Sequence, residues 1–236
     1  MVLIALASLA YGQGLPTASP KSVGLSAERF DRITAVMRRH VDDGLLAGAV
    51  AMVVRDGKVA YLQSVGMQDK EQRVEMSPDA IFRIASMSKP ITSVAVMMLY
   101  EEGRFQLKDP ISKFIPEFKA PKVIVAAPGS QEQLVPAKRE ITIRHLLTHT
   151  SGLTYQWDSR VGQKYKEAGI TRSLRESGEL ASVGAYRWGG LWYTTFFIDP
   201  AEKMAGVCMA QLYPAGKATL NDQFDALAHQ AIVAPR

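Results

Sequence analysis

Apolar residues recur at helical spacing in two stretches, one near each end of the chain. Residues 27–41 follow Ser26, a residue type that often caps the first turn of a helix. Residues 220–233 place their apolar side chains on one face in the same way. Each stretch predicts an amphipathic helix with one face directed toward a core.

Runs rich in β-forming residues follow the first helix and precede the last. Residues 48–54 and 59–65 flank Asp56-Gly57, an arrangement that predicts a β-hairpin. The runs near the C terminus predict three consecutive strands, at 185–191, 192–199 and 205–212. Two shorter runs predict a small surface hairpin, at 122–126 and 133–136.

Residues 88–102 predict a second long helix, which ends at Gly103. Nearly all of its positions are apolar, so we expect a central, buried helix. The order of elements is helix, hairpin, helix, irregular middle, three strands and helix. This order predicts an α+β fold in which helices flank an antiparallel sheet, with the terminal helices on one face and the buried helix on the other.

The composition is that of a soluble globular protein. The chain has 236 residues, of which 47% are hydrophobic and 22% charged, which excludes disordered, collagen-like and coiled-coil proteins. The net charge of +5 is scattered and forms no basic stripe, so no nucleic-acid partner is predicted. A single cysteine, Cys208, excludes an intrachain disulfide, and its apolar neighbours predict a buried structural thiol.

The first residues have the character of an export signal. Residues 1–10 are apolar and end in Ser8-Leu9-Ala10, a small-x-small cleavage pattern. We therefore expect a signal segment and linker at 1–18 and a periplasmic or secreted protein. The alternatives are a frayed N-terminal segment or a wrongly assigned start codon, either of them on a cytoplasmic protein. Neither this segment nor any other is long and apolar enough to predict an integral membrane span.

Ser86 and Lys89 form a Ser-x-x-Lys motif at the start of the apolar helix. Residues three apart lie one turn apart on the same helix face, so the amine is able to hydrogen-bond the hydroxyl. A lysine removed from water loses proton affinity and becomes a base near neutral pH. A capping serine beside a solvated lysine has the same spacing. The position of Lys89 at the start of an apolar helix favours the catalytic interpretation.

Three stretches of the chain resemble the serine β-lactamase-like hydrolases, which include class C β-lactamases, D-alanyl-D-alanine carboxypeptidases and family VIII esterases. Residues 82–90, Phe-Arg-Ile-Ala-Ser-Met-Ser-Lys-Pro, are similar to the first active-site motif of this family. Residues 141–153 are similar to its second most recognisable stretch. Residues 186–190, Tyr-Arg-Trp-Gly-Gly, resemble the final active-site strand of the esterase branch, where Trp-Gly-Gly replaces Lys-Thr-Gly.

The resemblance implies a serine hydrolase that acts on small carboxylic esters through an acyl-serine intermediate, without a cofactor or metal. Ser86 would be the nucleophile and Lys89 its base, and the backbone N–H groups of Ser86 and Leu191 would form the oxyanion hole. The residues implied to bind substrate are Trp188, Gly189 and Gly190. β-Lactams and peptides are further candidate substrates.

One family motif is absent. The family carries Tyr-x-Asn or Tyr-x-Ser in the middle of its chain, and none of the eight tyrosines here begins either pattern. Spacing gives no support to Tyr155 or Tyr193 as a replacement. The alternative function is therefore a catalytically impaired or inactive β-lactamase-like or penicillin-binding scaffold.

The missing motif accompanies a shortened middle region, because residues 171–183 lead almost directly into the final strands. We expect a sheet domain at 19–121 and 184–236, with 122–183 as the remnant of a strongly reduced helical domain. Apolar surface left by this reduction predicts self-association. His145 and His149 have a spacing that also binds metals, but the resemblance accounts for both, so no metal site is predicted.

Overall fold

The computed structural model describes residues 14–125, 133–154, 161–167 and 185–234. The predicted signal segment at 1–10 lies outside these residues. The chain divides into two compact units, Met1–Met87 with Glu176–Arg236 and Ser88–Arg175. The sheet and the hydrophobic core belong to the first of them.

The helices and strands follow the predicted order. In chain order they are α1 (Ala27–Asp42), β1 (Gly48–Arg55), β2 (Lys58–Asp69), β3 (Val74–Glu75), α2 (Ser88–Glu101), β4 (Lys122–Val125), β5 (Gln133–Pro136), α3 (Ile143–Leu147), α4 (Gly162–Glu167), β6 (Tyr186–Gly190), β7 (Thr194–Asp199), β8 (Met204–Ala210) and α5 (Leu220–Gln230). Short 3₁₀ helices lie at Pro20–Val23, Ala85–Met87, Ile111–Lys113 and Pro116–Phe118.

The first unit is built on a six-stranded sheet in the order β3-β2-β1-β8-β7-β6. Each neighbouring pair is antiparallel. The hairpin around Asp56-Gly57 joins β1 to β2, and β1 also pairs with β8 from Ala49 opposite Ala210 to Arg55 opposite Met204. Strands β3 and β6 are the two edges of the sheet. The predicted α+β fold with an antiparallel sheet flanked by helices is confirmed.

Helices α1 and α5 supply the apolar side chains that cover the sheet. The Ser26 hydroxyl caps α1 by accepting a hydrogen bond from the Arg29 N–H at 3.2 Å, as its position before the apolar pattern predicts. Phe30 of α1 and Phe224 of α5 are buried in the same core. Burial of an aromatic side chain of this size contributes about 1.5–3 kcal/mol to stability.

Two small residues of β8 lie within this core. A Cβ atom at Gly206 would collide with the Phe197 ring and lie 3.0 Å from the ring of Phe224, so the absence of a side chain permits their packing. Cys208 is fully buried, and burial raises the pKa of its thiol to about 12. The prediction of a buried structural thiol is confirmed.

The second unit buries little of its apolar surface. Among its described apolar side chains, Phe105 and Ile111 are the buried ones. Helix α2 contains no buried residue, and its exposed large apolar side chains are Ile91, Val94, Met98 and Leu99. The prediction of a central, buried helix is therefore wrong. An apolar sequence favours burial, but burial also requires other segments to cover each helix face.

Strands β4 and β5 form the predicted small hairpin, paired from Lys122 opposite Pro136 to Val125 opposite Gln133. No helix in the described ranges is both long and apolar enough to cross a membrane.

Candidate active site

Ser86 lies in the 3₁₀ helix Ala85–Met87, which leads directly into α2. The Met87 N–H closes this turn by donating to the Ile84 carbonyl at 2.9 Å. Ala85 has a φ of +44°, in the left-handed region that costs a residue with a β-carbon about 1–2 kcal/mol. Backbone strain of this kind persists only where the surrounding structure holds it, and it clusters at functional sites.

Contacts from β7 and from the end of β8 hold the segment that precedes Ser86. The Gln211 side chain accepts a hydrogen bond from the Arg83 N–H at 3.0 Å and donates to the Arg83 carbonyl at 3.4 Å. The Arg83 guanidinium lies 5.4 Å from the centre of the Trp192 ring, a cation–π contact. The Thr194 hydroxyl donates to the Ile84 carbonyl at 3.4 Å. These contacts fix the backbone that enters the Ser86 turn.

Gly190 allows the end of β6 to approach the same backbone. A Cβ atom at this position would collide with the Ile84 carbonyl oxygen and the Thr194 hydroxyl oxygen. Ile84 lies two residues before Ser86, and Gly190 lies one residue before Leu191. The structure thus brings the segments that carry the two predicted oxyanion-hole donors to the same end of the sheet.

Replacing Gly190 with alanine tests this close approach. We expect Gly190→Ala to lower the melting temperature and to reduce ester turnover about a hundredfold, because displacement of a reacting group by about 1 Å has that effect. Gly189→Ala is the matched control for the melting temperature, since its Cβ atom would meet its nearest neighbour, the Thr194 carbonyl oxygen, at an ordinary 3.5 Å. Equal melting temperatures in the two variants would contradict the predicted role of Gly190.

The predicted substrate-binding residues Trp188, Gly189 and Gly190 are consecutive on β6. Trp188 is half-buried, and its carbonyl accepts a hydrogen bond from the Thr195 hydroxyl at 3.3 Å. Within the described sheet, β6 pairs with β7 alone. An edge strand offers its outer backbone groups to an extended ligand, so this strand is suited to bind a substrate edge-on.

Lys89 lies in the first turn of α2 and is half-buried.

Tyr193 is poorly suited to replace the family tyrosine, because it belongs to the hydrophobic core. Burial raises the pKa of its hydroxyl to about 12, although the backbone of Leu220 and Asn221 lowers it in part. Tyr155 lies outside the described residues.

His145 has a structural role that its spacing from His149 did not indicate. Its Nδ1 accepts a hydrogen bond from the Thr142 N–H at 3.1 Å, and its own N–H donates to the Thr142 hydroxyl at 3.3 Å. This reciprocal pair is a capping box for α3. The part of the chain that the structure describes holds no group of three His, Cys, Asp or Glu side chains arranged to bind a metal ion.

Gln211 and Thr194 were not singled out by the sequence. Gln211 lies 128 residues from Arg83, and Thr194 lies 110 residues from Ile84. No local pattern signals a hydrogen bond over such a separation. Of the aromatic residues near β7, Tyr193 and Phe197 are buried in the core, whereas Trp192 is half-buried.

The chain is similar in sequence to known proteins over much of its length. The sequence model of the Beta-lactamase family matches residues 33–178. Protein Rv1367c of Mycobacterium tuberculosis is 45% identical over 126 residues, which cover 53% of this chain and 31% of that protein. Esterase EstB of Burkholderia gladioli is 37% identical over 159 residues, covering 67% of this chain and 37% of the esterase. The chain thus spans about a third of the length of these relatives.

A similar fold occurs in the solved structure of EstCE1, a hydrolase with promiscuous acyltransferase activity. The two chains are 30% identical and superimpose with a TM-score of 0.50. The match covers 65% of this chain and 36% of EstCE1.

Proposed function

Because the chain belongs to the beta-lactamase family, we propose that it is a serine hydrolase that cleaves small carboxylic esters through an acyl-Ser86 intermediate. The observation that carries the proposal is the placement of Ser86 directly after the strained residue Ala85, in a tightly held turn whose first carbonyl, that of Ile84, lies against Gly190. The similarity to esterase EstB and to EstCE1 supports ester hydrolysis.

In the proposed reaction, the Ser86 hydroxyl oxygen attacks the ester carbonyl carbon while Lys89 accepts the hydroxyl proton. The carbonyl oxygen becomes an oxyanion, bound by the N–H groups of Ser86 and Leu191. Each such donor contributes about 3–4 kcal/mol in other acyl-transfer enzymes. The C–O bond to the alcohol then breaks, the alcohol takes the proton from Lys89, and water hydrolyses the acyl-serine ester.

The Trp-Gly-Gly sequence of β6 favours neutral esters over β-lactams as substrates. Where Lys-Thr-Gly would place a cation against the β-lactam carboxylate, this chain has Trp188-Gly189-Gly190. Arg187, the cation that precedes this sequence on β6, forms an ion pair with Asp225 at 2.9 Å. The proposed substrate is therefore a small ester without a required negative charge.

The second candidate function is a scaffold that accepts an acyl group but turns over poorly. It rests on the absence of a Tyr-x-Asn or Tyr-x-Ser motif and on the burial of Tyr193. Loss of one member of a cooperating catalytic set reduces rates by several orders of magnitude.

Release of p-nitrophenol from p-nitrophenyl butyrate tests the proposal, with a chromogenic cephalosporin measured in parallel. We expect sustained release, with kcat/KM for the ester at least about tenfold above that for the β-lactam, which is about 1.4 kcal/mol of discrimination. A burst equal to the protein concentration with no steady release would favour the acyl-accepting scaffold. No release above buffer would overturn the esterase proposal, and faster cephalosporin cleavage would overturn the predicted preference.

A further inference from the structure

Strand β6 is tied to helix α5 by a cluster of charged side chains, Arg187, Asp199, Asp222, Asp225 and His229. Asp222, Asp225 and His229 are spaced by three and four residues, so they share one face of α5. Arg187 lies in β6, one residue before the Trp188–Gly190 sequence. Asp199 is the last residue of β7.

Arg187 makes the contact between strand and helix. Its Nη1 donates to Asp225 Oδ2 at 2.9 Å, and its Nη2 lies 3.7 Å from Asp222 Oδ1. The Asp225 side chain is 4% exposed, whereas that of Asp222 is 51% exposed. Because β6 is an edge strand, paired in the described sheet with β7 alone, this partly buried ion pair is a second anchor for its position.

His229 lies between two carboxylates. Its Nδ1 is 3.0 Å from Asp225 Oδ1 and 2.9 Å from the Asp225 carbonyl oxygen, and its Nε2 is 3.3 Å from Asp199 Oδ2. Nδ1 makes its hydrogen bond to the Asp225 carbonyl, and both ring nitrogens lie within ion-pair distance of a carboxylate oxygen. A neutral imidazole carries no charge, whereas an imidazolium forms ion pairs with both carboxylates. The position of the ring between the two carboxylates fits the protonated form.

The groups around His229 are buried carboxylates, so the positive charge of its imidazolium balances negative charge in the cluster. Asp199 is fully buried and also accepts the Glu202 N–H at 3.1 Å, and Glu202 is itself paired with the buried Arg55. The Phe197 ring covers His229 at a centroid distance of 4.7 Å. With His229 protonated, two cations face the two buried carboxylates. Loss of its proton removes one of these two positive charges from beside the buried carboxylates, which is costly in a buried site.

We propose that His229 is a positioning residue, whose imidazolium bridges Asp225 and Asp199. By holding Asp225 against Arg187, it keeps β6 in the position in which the Trp188–Gly190 sequence binds substrate. The consequence for activity rests on the proposed function of this strand in binding substrate. Protonated His229 keeps Asp225 oriented toward Arg187. Deprotonation loosens the edge strand, so ester hydrolysis is expected to fall on the alkaline side.

The direction of the pH effect follows from the contacts. Burial lowers the pKa of His229, but the hydrogen bonds and charge of Asp225, together with the charge of Asp199, outweigh it and raise the pKa above its ordinary value. A raised pKa in the folded state means that the stabilising contribution is fully present below about pH 6.5, the ordinary histidine value. It is lost as the pH rises through the raised pKa of the folded protein.

The first measurement needs no turnover. An NMR titration from about pH 5.5 to about pH 9 follows the His229 ring and the Trp188 indole N–H, assigned from His229→Gln and Trp188→Phe spectra. We expect His229 to titrate above about pH 6.5, and the Trp188 resonance to move with the same midpoint. A neutral His229 at the acidic end, or a Trp188 resonance that ignores its titration, would overturn the proposal.

The second measurement is the pH profile of kcat/KM for p-nitrophenyl butyrate. We expect wild-type activity to fall about tenfold on the alkaline side with the His229 midpoint, and His229→Gln to lack this descent. Asp222→Asn is the matched control and should keep it, because Asp222 is half-exposed and lies beyond hydrogen-bond distance of Arg187. An unchanged descent in His229→Gln would overturn the proposal. If the wild type shows no turnover, the esterase proposal fails alone and the NMR titration decides the role of His229.

Discussion

Ser86→Ala is expected to reduce ester turnover by at least about three orders of magnitude, because it removes the only atom proposed to attack the carbonyl carbon. Lys89 and the backbone N–H groups remain in the variant, so substrate still binds and the residual rate reflects attack by water. We therefore expect kcat to fall far more than KM changes. The measurement is steady-state release of p-nitrophenol by wild type and variant.

Ser88→Ala is the matched control for this substitution. Ser88 lies two residues after Ser86, is exposed, and has no role in the proposed reaction. Its replacement should leave kcat and KM unchanged. Purifying this variant in parallel with Ser86→Ala also controls for a contaminating esterase. Equal rates for Ser86→Ala and wild type would show that Ser86 is not the nucleophile.

Arg55→Ala is expected to destabilise the protein by about 3–5 kcal/mol, the loss typical when one partner of a buried ion pair is removed. The Arg55 side chain is 1% exposed. Its Nη1 donates to the carbonyls of Val23 and Gly24, each at 3.0 Å. Its Nε donates to the Glu202 carbonyl at 3.1 Å, and its Nη2 donates to the Glu202 carboxylate and, at 2.9 Å, to the Ala234 carbonyl.

One guanidinium therefore joins the end of β1 to the 3₁₀ helix at Pro20–Val23, to the turn after β7 and to the end of the described chain. A lysine cannot replace this planar set of donors, so Arg55→Lys should also destabilise. We expect the melting temperature of Arg55→Ala to fall by about 10 °C in thermal unfolding. The double variant Arg55→Met with Glu202→Gln should be more stable than Arg55→Met alone, because both buried charges of the ion pair are then removed together.

The control for Arg55 is an exposed ion pair of the same chemistry. Arg104 lies 3.2 Å from Glu102, and their side chains are 71% and 54% exposed. Water screens such a pair, so Arg104→Ala should leave the melting temperature unchanged. A melting temperature for Arg55→Ala equal to that of wild type would contradict the structural role assigned to Arg55.

Local patterns explain which elements the sequence predicts correctly. The first helix, the Asp56-Gly57 hairpin and the C-terminal strands each arise from periodicity or turn residues within a single segment. The position of helix α2 was also predicted correctly. Its burial was predicted wrongly, because burial depends on segments elsewhere in the chain. An apolar helix such as 88–101 gives no sign of which face is covered.

The residues of the candidate site were also predicted only in part. Ser86 and the Trp188–Gly190 strand were found through short motifs. The groups that hold them were not, since Gln211 contacts Arg83 across 128 residues and Arg187 contacts Asp225 across 38. Arg187 and Asp225 are ordinary charged residues in sequence. Their importance comes from burial and from the edge position of β6, which only the folded structure reveals.

The covalent intermediate is the most direct test of the proposed chemistry. Protein quenched in acid during turnover of p-nitrophenyl butyrate is digested with trypsin, which should yield a peptide from Ile84 to Arg104, because Pro90 protects the Lys89 bond. We predict a single butyryl group on this peptide, assigned by fragmentation to Ser86 and absent from Ser86→Ala. An unmodified peptide during turnover, or a butyryl group on another residue, would contradict catalysis through acyl-Ser86.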